Sequence, residues 1–170
     1  MRTGPLIRDV HGSDSEAVHA IYAHHVLNGT ASFDWEPPPV AAIAAKIDHI
    51  RGAGWPFVVA EVGAAVAGYA YATQFRDRAA YRFTAENSIY VHPEHMHRGI
   101  GKLLLEALLE QSTARGFRTM IAVIGGGEPA SVALHASCGF VQAGRLSRVG
   151  WKKECWLDSV YMQRDLPPTG

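Results

Sequence analysis

Arg98-Gly99-Ile100-Gly101-Lys102 sets two glycines and two cations at the start of an apolar helical pattern. The first N–H groups of a helix have no internal partner, and the dipole there is positive. Glycine lets an anion come close to that backbone, and Arg98 and Lys102 add charge. The chemistry this suits is a pyrophosphate cradled by main-chain amides. The segment is not a Walker loop, because the Gly-x-x-x-x-Gly-Lys-Ser/Thr spacing is missing. It is not a dinucleotide fingerprint either, because no third glycine follows at the required spacing. Taken alone, a helix start whose glycines serve close packing reads equally well.

Two titratable residues flank this segment. Glu86 opens the apolar run that precedes it, and a carboxylate at a strand end beside a cleft can be tuned upward by burial, as a general base requires. From the pattern alone a solvated edge carboxylate is the better reading. His135 follows the glycine break at 125–127, and its imidazole titrates near neutral pH. Alone it reads as a half-buried histidine satisfying a helix contact. Arg76, Asp77, Arg78 and Arg82 cluster before Glu86. An arginine fork suits a carboxylate or phosphinate, and a solvated charged loop fits any single Arg as well. Phe33 and Trp35 lie in a proline-rich stretch and read as core cover ahead of a substrate wall, although Phe33, Trp35, Tyr81 and Tyr90 could together form apolar walls. His92, His95 and His97 are close-set without a Cys or Asp to complete a known site, so no metal is expected.

The elements that must position these groups follow from periodicity. A strand is expected over 6–10, then a helix with Ser13 as N-cap and Glu16 as its capping-box partner, ending near Asn28-Gly29. Residues 31–39 cannot be regular helix, and 40–51 fits a second one. Strands are expected over 57–62 and 66–73 around a Gly63-Ala64 turn, with a loop over 76–82 and a strand over 85–91. The strongest helix spans 100–111, with Leu103, Leu104, Ala107 and Leu108 as its apolar face. A strand over 119–124, a short helix over 131–138, strands over 140–149 and 155–162, and a frayed tail from Leu166 complete the chain. Hairpins followed by a strand-helix-strand unit over 89–124 argue for an α/β fold with a mixed sheet.

With 170 residues, nearly half apolar, the chain is long enough for one domain with a real core. Sixteen basic residues balance sixteen acidic ones, and the absence of a basic run argues against a nucleic-acid partner and for a small substrate. Two cysteines outside any CxxC pair suggest a reducing compartment. No signal-peptide core and no membrane-length apolar stretch is present, so no membrane partner is expected and a cytoplasmic location is.

Residues 91–105 resemble motif A of the GNAT N-acetyltransferases. The resemblance narrows around Glu86-Asn87-Ser88-Ile89-Tyr90-Val91-His92, Val123-Ile124-Gly125, Ser131-Val132-Ala133-Leu134-His135 and Cys138-Gly139-Phe140. These, with Tyr22-Ala23-His24-His25-Val26-Leu27-Asn28 and Trp156-Leu157-Asp158, look like the phosphinothricin and methionine-sulfoximine acetyltransferase branch, over 7–166. The resemblance implies a single GNAT domain over 5–166 with a tail at 167–170. It implies an α/β (α+β) fold whose mixed, mostly antiparallel sheet of six to seven strands is flanked by about four helices. It also implies acetyl transfer from acetyl-CoA, without a metal, to the amino group of a small amino-acid-like substrate. Another amine, or a non-catalytic acyl-CoA sensor, is the alternative.

In that frame Glu86 is the general base, and His135 is catalytic or orienting. Cofactor contacts are implied at Ile89, Tyr90, Val91, His97, Arg98, Gly99, Ile100, Gly101, Lys102, Glu128 and Ser137. Substrate contacts are implied at Phe33, Arg76, Asp77, Arg78, Glu86, Asn87 and Ser88. Met96 stands where the motif has Gln or Arg, and Glu128 where it has Asn. The branch is commonly dimeric, which makes Trp151 and Trp156 candidate interface residues.

Overall fold

The computed structural model describes residues 4–168. Its elements run β1 (Leu6–Asp9), α1 (Ser15–Asn28), α2 (Val40–Gly52), β2 (Phe57–Val62), β3 (Ala65–Gln74), β4 (Thr84–Val91), α3 (Ile100–Ala114), β5 (Thr119–Gly125), α4 (Pro129–Ser137), β6 (Val141–Lys152) and β7 (Cys155–Asp165). The strands form a seven-stranded sheet in the order β1-β2-β3-β4-β5-β7-β6. Neighbours are antiparallel except β4 and β5, which the crossover helix α3 makes parallel.

Each face of the sheet carries its own core. On one, α1 and α2 press Val18, Ile21, Ile43 and Ile47 onto Phe57, Val59 and Tyr69. On the other, α3 and α4 cover Val58, Ala70, Met120, Phe140 and Val160. The buried face of α3 is Leu104, Leu105, Leu108 and Leu109, while Leu103 is 40% exposed. The expected stripe therefore sits one residue out of phase. Three consecutive leucines fit either phase, and contact with the sheet selects the one that buries two adjacent pairs. Full burial of each such leucine contributes about 1.5–3 kcal/mol.

Two further expectations are corrected. Ser13 does not cap α1; it lies in a short 3-10 turn, Gly12–Asp14. Asp14 accepts the His11 N–H at 2.7 Å, and Arg8 fixes its carboxylate with two donors at 2.8 and 3.0 Å. The charge-assisted pair from β1 outweighs a neutral serine cap. Leu166 is not frayed: it is 2% exposed, and its N–H bonds Arg118 O at 2.8 Å. The expected tail is described only as far as Pro168. No helix among the described residues is long and apolar enough to cross a membrane.

Candidate active site

The site begins with an interrupted strand pair. β4 and β5 pair from Thr84↔Thr119 to Asn87↔Ala122 and then part, although β4 continues to Val91 and β5 to Gly125. The His92 N–H bonds Ala67 O, so by strand alternation the main-chain groups of Ile89 and Val91 point away from β3 into the gap. There the His25 Nε2–H donates to Val91 O at 2.7 Å. Two cavities flank this splayed segment. They share Ala31, Ile89, Tyr90 and Ser131.

The first is a largely apolar groove of about 450 Å³. It is lined by Ile89, Tyr90, Val91, His97, the start of α3 and Leu134. The first bond within α3 is Leu103 N–H to Gly99 O at 3.2 Å, so the amides from Gly99 to Lys102 precede the helical ladder. Gly99 is left-handed at φ +79°, which glycine adopts without strain. Gly101 has a second duty, since a Cβ there would stand 3.2 Å from the Leu134 side chain of α4. A strip of free amides at one end of an apolar trough fits a diphosphate carrying a long flexible arm.

Side chains contribute less here than expected. Arg98 is exposed and does not line the groove, because the turn that frees the amides carries it outward. Lys102 lines it, with Nζ 3.9 Å from Glu106. Glu128 caps α4, accepting the Ala130 N–H at 3.4 Å, and lines the groove beside Met96. Ser137 does not reach it: at the far end of α4 its hydroxyl donates to Leu134 O at 2.7 Å.

The second cavity, of about 290 Å³, collects Tyr22, residues 31–34, residues 86–90, residues 122–125, Ser131, His135 and Ser159. Glu86 faces it with a side chain 31% exposed. Burial raises its pKa above the ordinary carboxylate value, and the Arg76 guanidinium 3.7 Å away partly opposes the rise. Asp34 is a second carboxylate on the wall, held by the Tyr22 hydroxyl.

His135 is 2% exposed. Its Nδ1–H donates to Ser131 O at 2.7 Å, and its Nε2 accepts the Asn87 Nδ2–H at 3.0 Å. Desolvation pushes its pKa down, so both bonds belong to the neutral ring. The network fixes the Asn87 amide with nitrogen toward His135 and leaves its oxygen for the cavity.

Phe33 lines the cavity, so its reading as core cover gives way to that of a wall. The arginine cluster does not enter. Gln74 Nε2 donates to Arg76 O and Arg78 O and curls the loop outward, leaving Asp77 and Arg78 exposed. Only Arg76 reaches the rim, over the Phe75 ring and beside Glu86. Among the described residues no lysine or arginine lines the cavity, so the expected arginine fork does not form inside it. Sequence reading also missed Tyr22, Ser32, Asp34, Ser131 and Ser159. The acid between Phe33 and Trp35 was a signal for Asp34; nothing local marked Ser159.

Residues 19–140 match the acetyltransferase (GNAT) family. The chain is 47% identical to a phosphinothricin N-acetyltransferase of Alcaligenes faecalis, across 97% of this chain and 84% of that protein. It is 38% identical to an L-methionine sulfoximine/L-methionine sulfone acetyltransferase of Pseudomonas paraeruginosa, across 96% and 95%. Its fold matches the crystal structure of a GNAT-superfamily phosphinothricin acetyltransferase from Sinorhizobium meliloti in complex with AcCoA. There the TM-score is 0.94 and the identity 46%, over 97% of this chain and 93% of that one. The split strand, the amide-lined helix start and the spans matched agree: the chain belongs to the acetyltransferase (GNAT) family.

Proposed function

We propose that the chain transfers the acetyl group of acetyl-CoA, by direct attack, to the amino group of a small amino-acid-like substrate of the phosphinothricin, methionine sulfoximine or methionine sulfone type. The observation that carries this reading is Glu86, half-buried in a cavity that shares four wall residues with the groove. When bound, acetyl-CoA supplies an acyl carbon activated as a thioester. The amides from Gly99 to Lys102 would hold its diphosphate, and the main chain of Ile89 and Val91 would pair with its pantetheine arm.

An amine arrives as ammonium and must lose a proton to attack. Glu86 takes that proton; as the C–N bond forms and the C–S bond breaks, the second amine proton leaves with the coenzyme A sulfur as the free thiol. Burial raises the pKa of Glu86 and makes it a stronger base than a surface carboxylate, while Arg76 opposes part of that rise. The Asn87 amide oxygen accepts a hydrogen bond from the amine, and His135 orients that amide. His135 acts by position: its Nδ1–H is given to Ser131 O and its Nε2 holds the Asn87 amide. Arg76 at the rim pairs with the acid end of the substrate.

A second reading, a polyamine-like acceptor, has one observation in its favour: among the described residues, two carboxylates and no lysine or arginine line the cavity. A thiol-release assay separates the two. Turnover is expected with phosphinothricin, methionine sulfoximine or methionine sulfone. Turnover with spermidine and none of these would replace the first reading with the second. Glu86→Gln is expected to lower kcat by about 10²–10⁴-fold with the acetyl-CoA Kd held within about twofold. An unchanged kcat removes Glu86 as the base.

The cytoplasmic setting we assign is supported by two free cysteines, Cys138 and Cys155. A homodimer is supported by the edge strand β6, which exposes Val141, Leu146, Val149 and Trp151 beside Trp156 of β7. Light scattering should give twice the mass of the 18.4 kDa chain, and Val149→Glu should halve it.

A further inference from the structure

The segment between α1 and α2 walls both cavities: Gly29, Thr30 and Ala31 line the groove, and residues 31–34 line the acceptor cavity. It has no regular structure, so its shape must be imposed. Part comes from α1, where Tyr22 binds Ser32 and Asp34 and the His19 Nε2–H donates to Pro38 O. The rest comes from three consecutive residues at the far end of the chain. Lys152, 4% exposed, donates from Nζ to Val26 O at 2.8 Å and Ser32 O at 2.7 Å. Trp151 O accepts the Trp35 indole N–H at 3.1 Å.

Gly150 leaves room for the Phe33 ring, since a Cβ there would lie 2.6 Å from Cε2 and 2.9 Å from Cζ. Gly125 of β5 does the same for the opposite edge, 2.9 Å from Cε1. Phe33 is thus wedged between two strands that only β7 joins. The bulge before Gly150 is held by Asp158, which accepts from Arg145 Nε at 2.7 Å and the Arg148 N–H at 2.9 Å.

We propose that Gly150 and Lys152 are specificity-determining positioning residues: they set the acceptor cavity through Phe33 and Ser32, which line that cavity and not the acetyl-CoA groove. The buried ammonium of Lys152 is hydrogen-bonded to two carbonyls, one at the end of α1 and one in the loop, so its role is to join them. The glycine slot then fixes how far Phe33 stands from Glu86 and hence which side chains fit. This inference rests on the amine acetyltransferase reading.

Steady-state kinetics with separate variation of the two substrates tests it. Gly150→Ala and Lys152→Met should each lower kcat/KM for methionine sulfone by about 10–100-fold, the cost of an ångström-scale misplacement. KM for acetyl-CoA should stay within about threefold. In the Gly150→Ala background, Phe33→Ala should cost less than it does in the parent, because the smaller side chain relieves the clash. Parallel losses for amine and acetyl-CoA, an unchanged kcat/KM for the amine in both variants, or additive Gly150 and Phe33 effects would overturn the proposal. If Gly150→Ala fails to fold, Lys152→Met decides on the same readouts, with stabilisation by acetyl-CoA as the measure of folding. Failure of the parent protein to acetylate any of the amines sinks the functional reading instead.

Discussion

The groove and the acceptor cavity share a strand but are built in opposite ways. The anion-facing end of the groove comes from consecutive main-chain amides, Gly99 to Lys102, at one helix start. The acceptor cavity is assembled from side chains on α1, the following loop, β4, β5, α4 and β7. A main-chain site depends on glycine geometry and tolerates changes in nearby side chains. A side-chain site depends on long-range packing and responds to single substitutions. A common cosubstrate and a variable acceptor call for that division.

The contrast can be broken at the backbone first. Gly99→Val puts a β-branched residue at φ +79° and should raise the acetyl-CoA Kd by on the order of 100-fold in calorimetry. Arg98→Ala should change that Kd by less than about fivefold, because an exposed cation contributes little. An effect equal to that of Gly99→Val would show that the groove works by side chains after all.

Next in size, His135→Leu strands the Asn87 amide and should cost about 1–3 kcal/mol in denaturant unfolding. His135 also leaves a pH signature. Its folded pKa lies below the ordinary 6.5, so on acidification the unfolded chain takes up a proton that the folded chain refuses. Stability should therefore fall as pH drops through 6.5, and His135→Asn should flatten that fall. The smallest effect is at the rim. Arg76→Ala removes the charge opposing the upward shift of Glu86, so the acid limb of kcat/KM should move to higher pH. Movement to lower pH would mean that Arg76 does not act on Glu86.

The same contrast explains what was readable in advance. The strand, the loop and α3 lie within one continuous stretch, so local glycines, flanking cations and periodicity marked the groove. The splay was not visible, because it is the absence of pairing past Asn87↔Ala122. The leucine triplet 103–105 left the phase of α3 open until the sheet chose it. For Phe33 the local pattern favoured core cover while the resemblance implied a substrate contact; the pattern could not decide, because its slot is made by Gly125 and Gly150, which become neighbours only after β7 inserts between β5 and β6. Asp77 and Arg78 were implied as substrate contacts by the resemblance, whereas the local pattern left a solvated loop equally open, because composition does not say which way a loop curls.

Lys152 lies 120 residues beyond the Ser32 carbonyl it holds. A nascent chain exposes the loop long before its anchor is made. At about 5–20 residues per second, the interval is roughly 6–24 s. During that time α1 and its loop have left the ribosome with their hydroxyl and carboxylate contacts but without the staple. The acceptor cavity is thus among the last parts of the molecule to be completed, and a chain released before β6 would carry the Gly99 to Lys102 amides without a finished place for the amine.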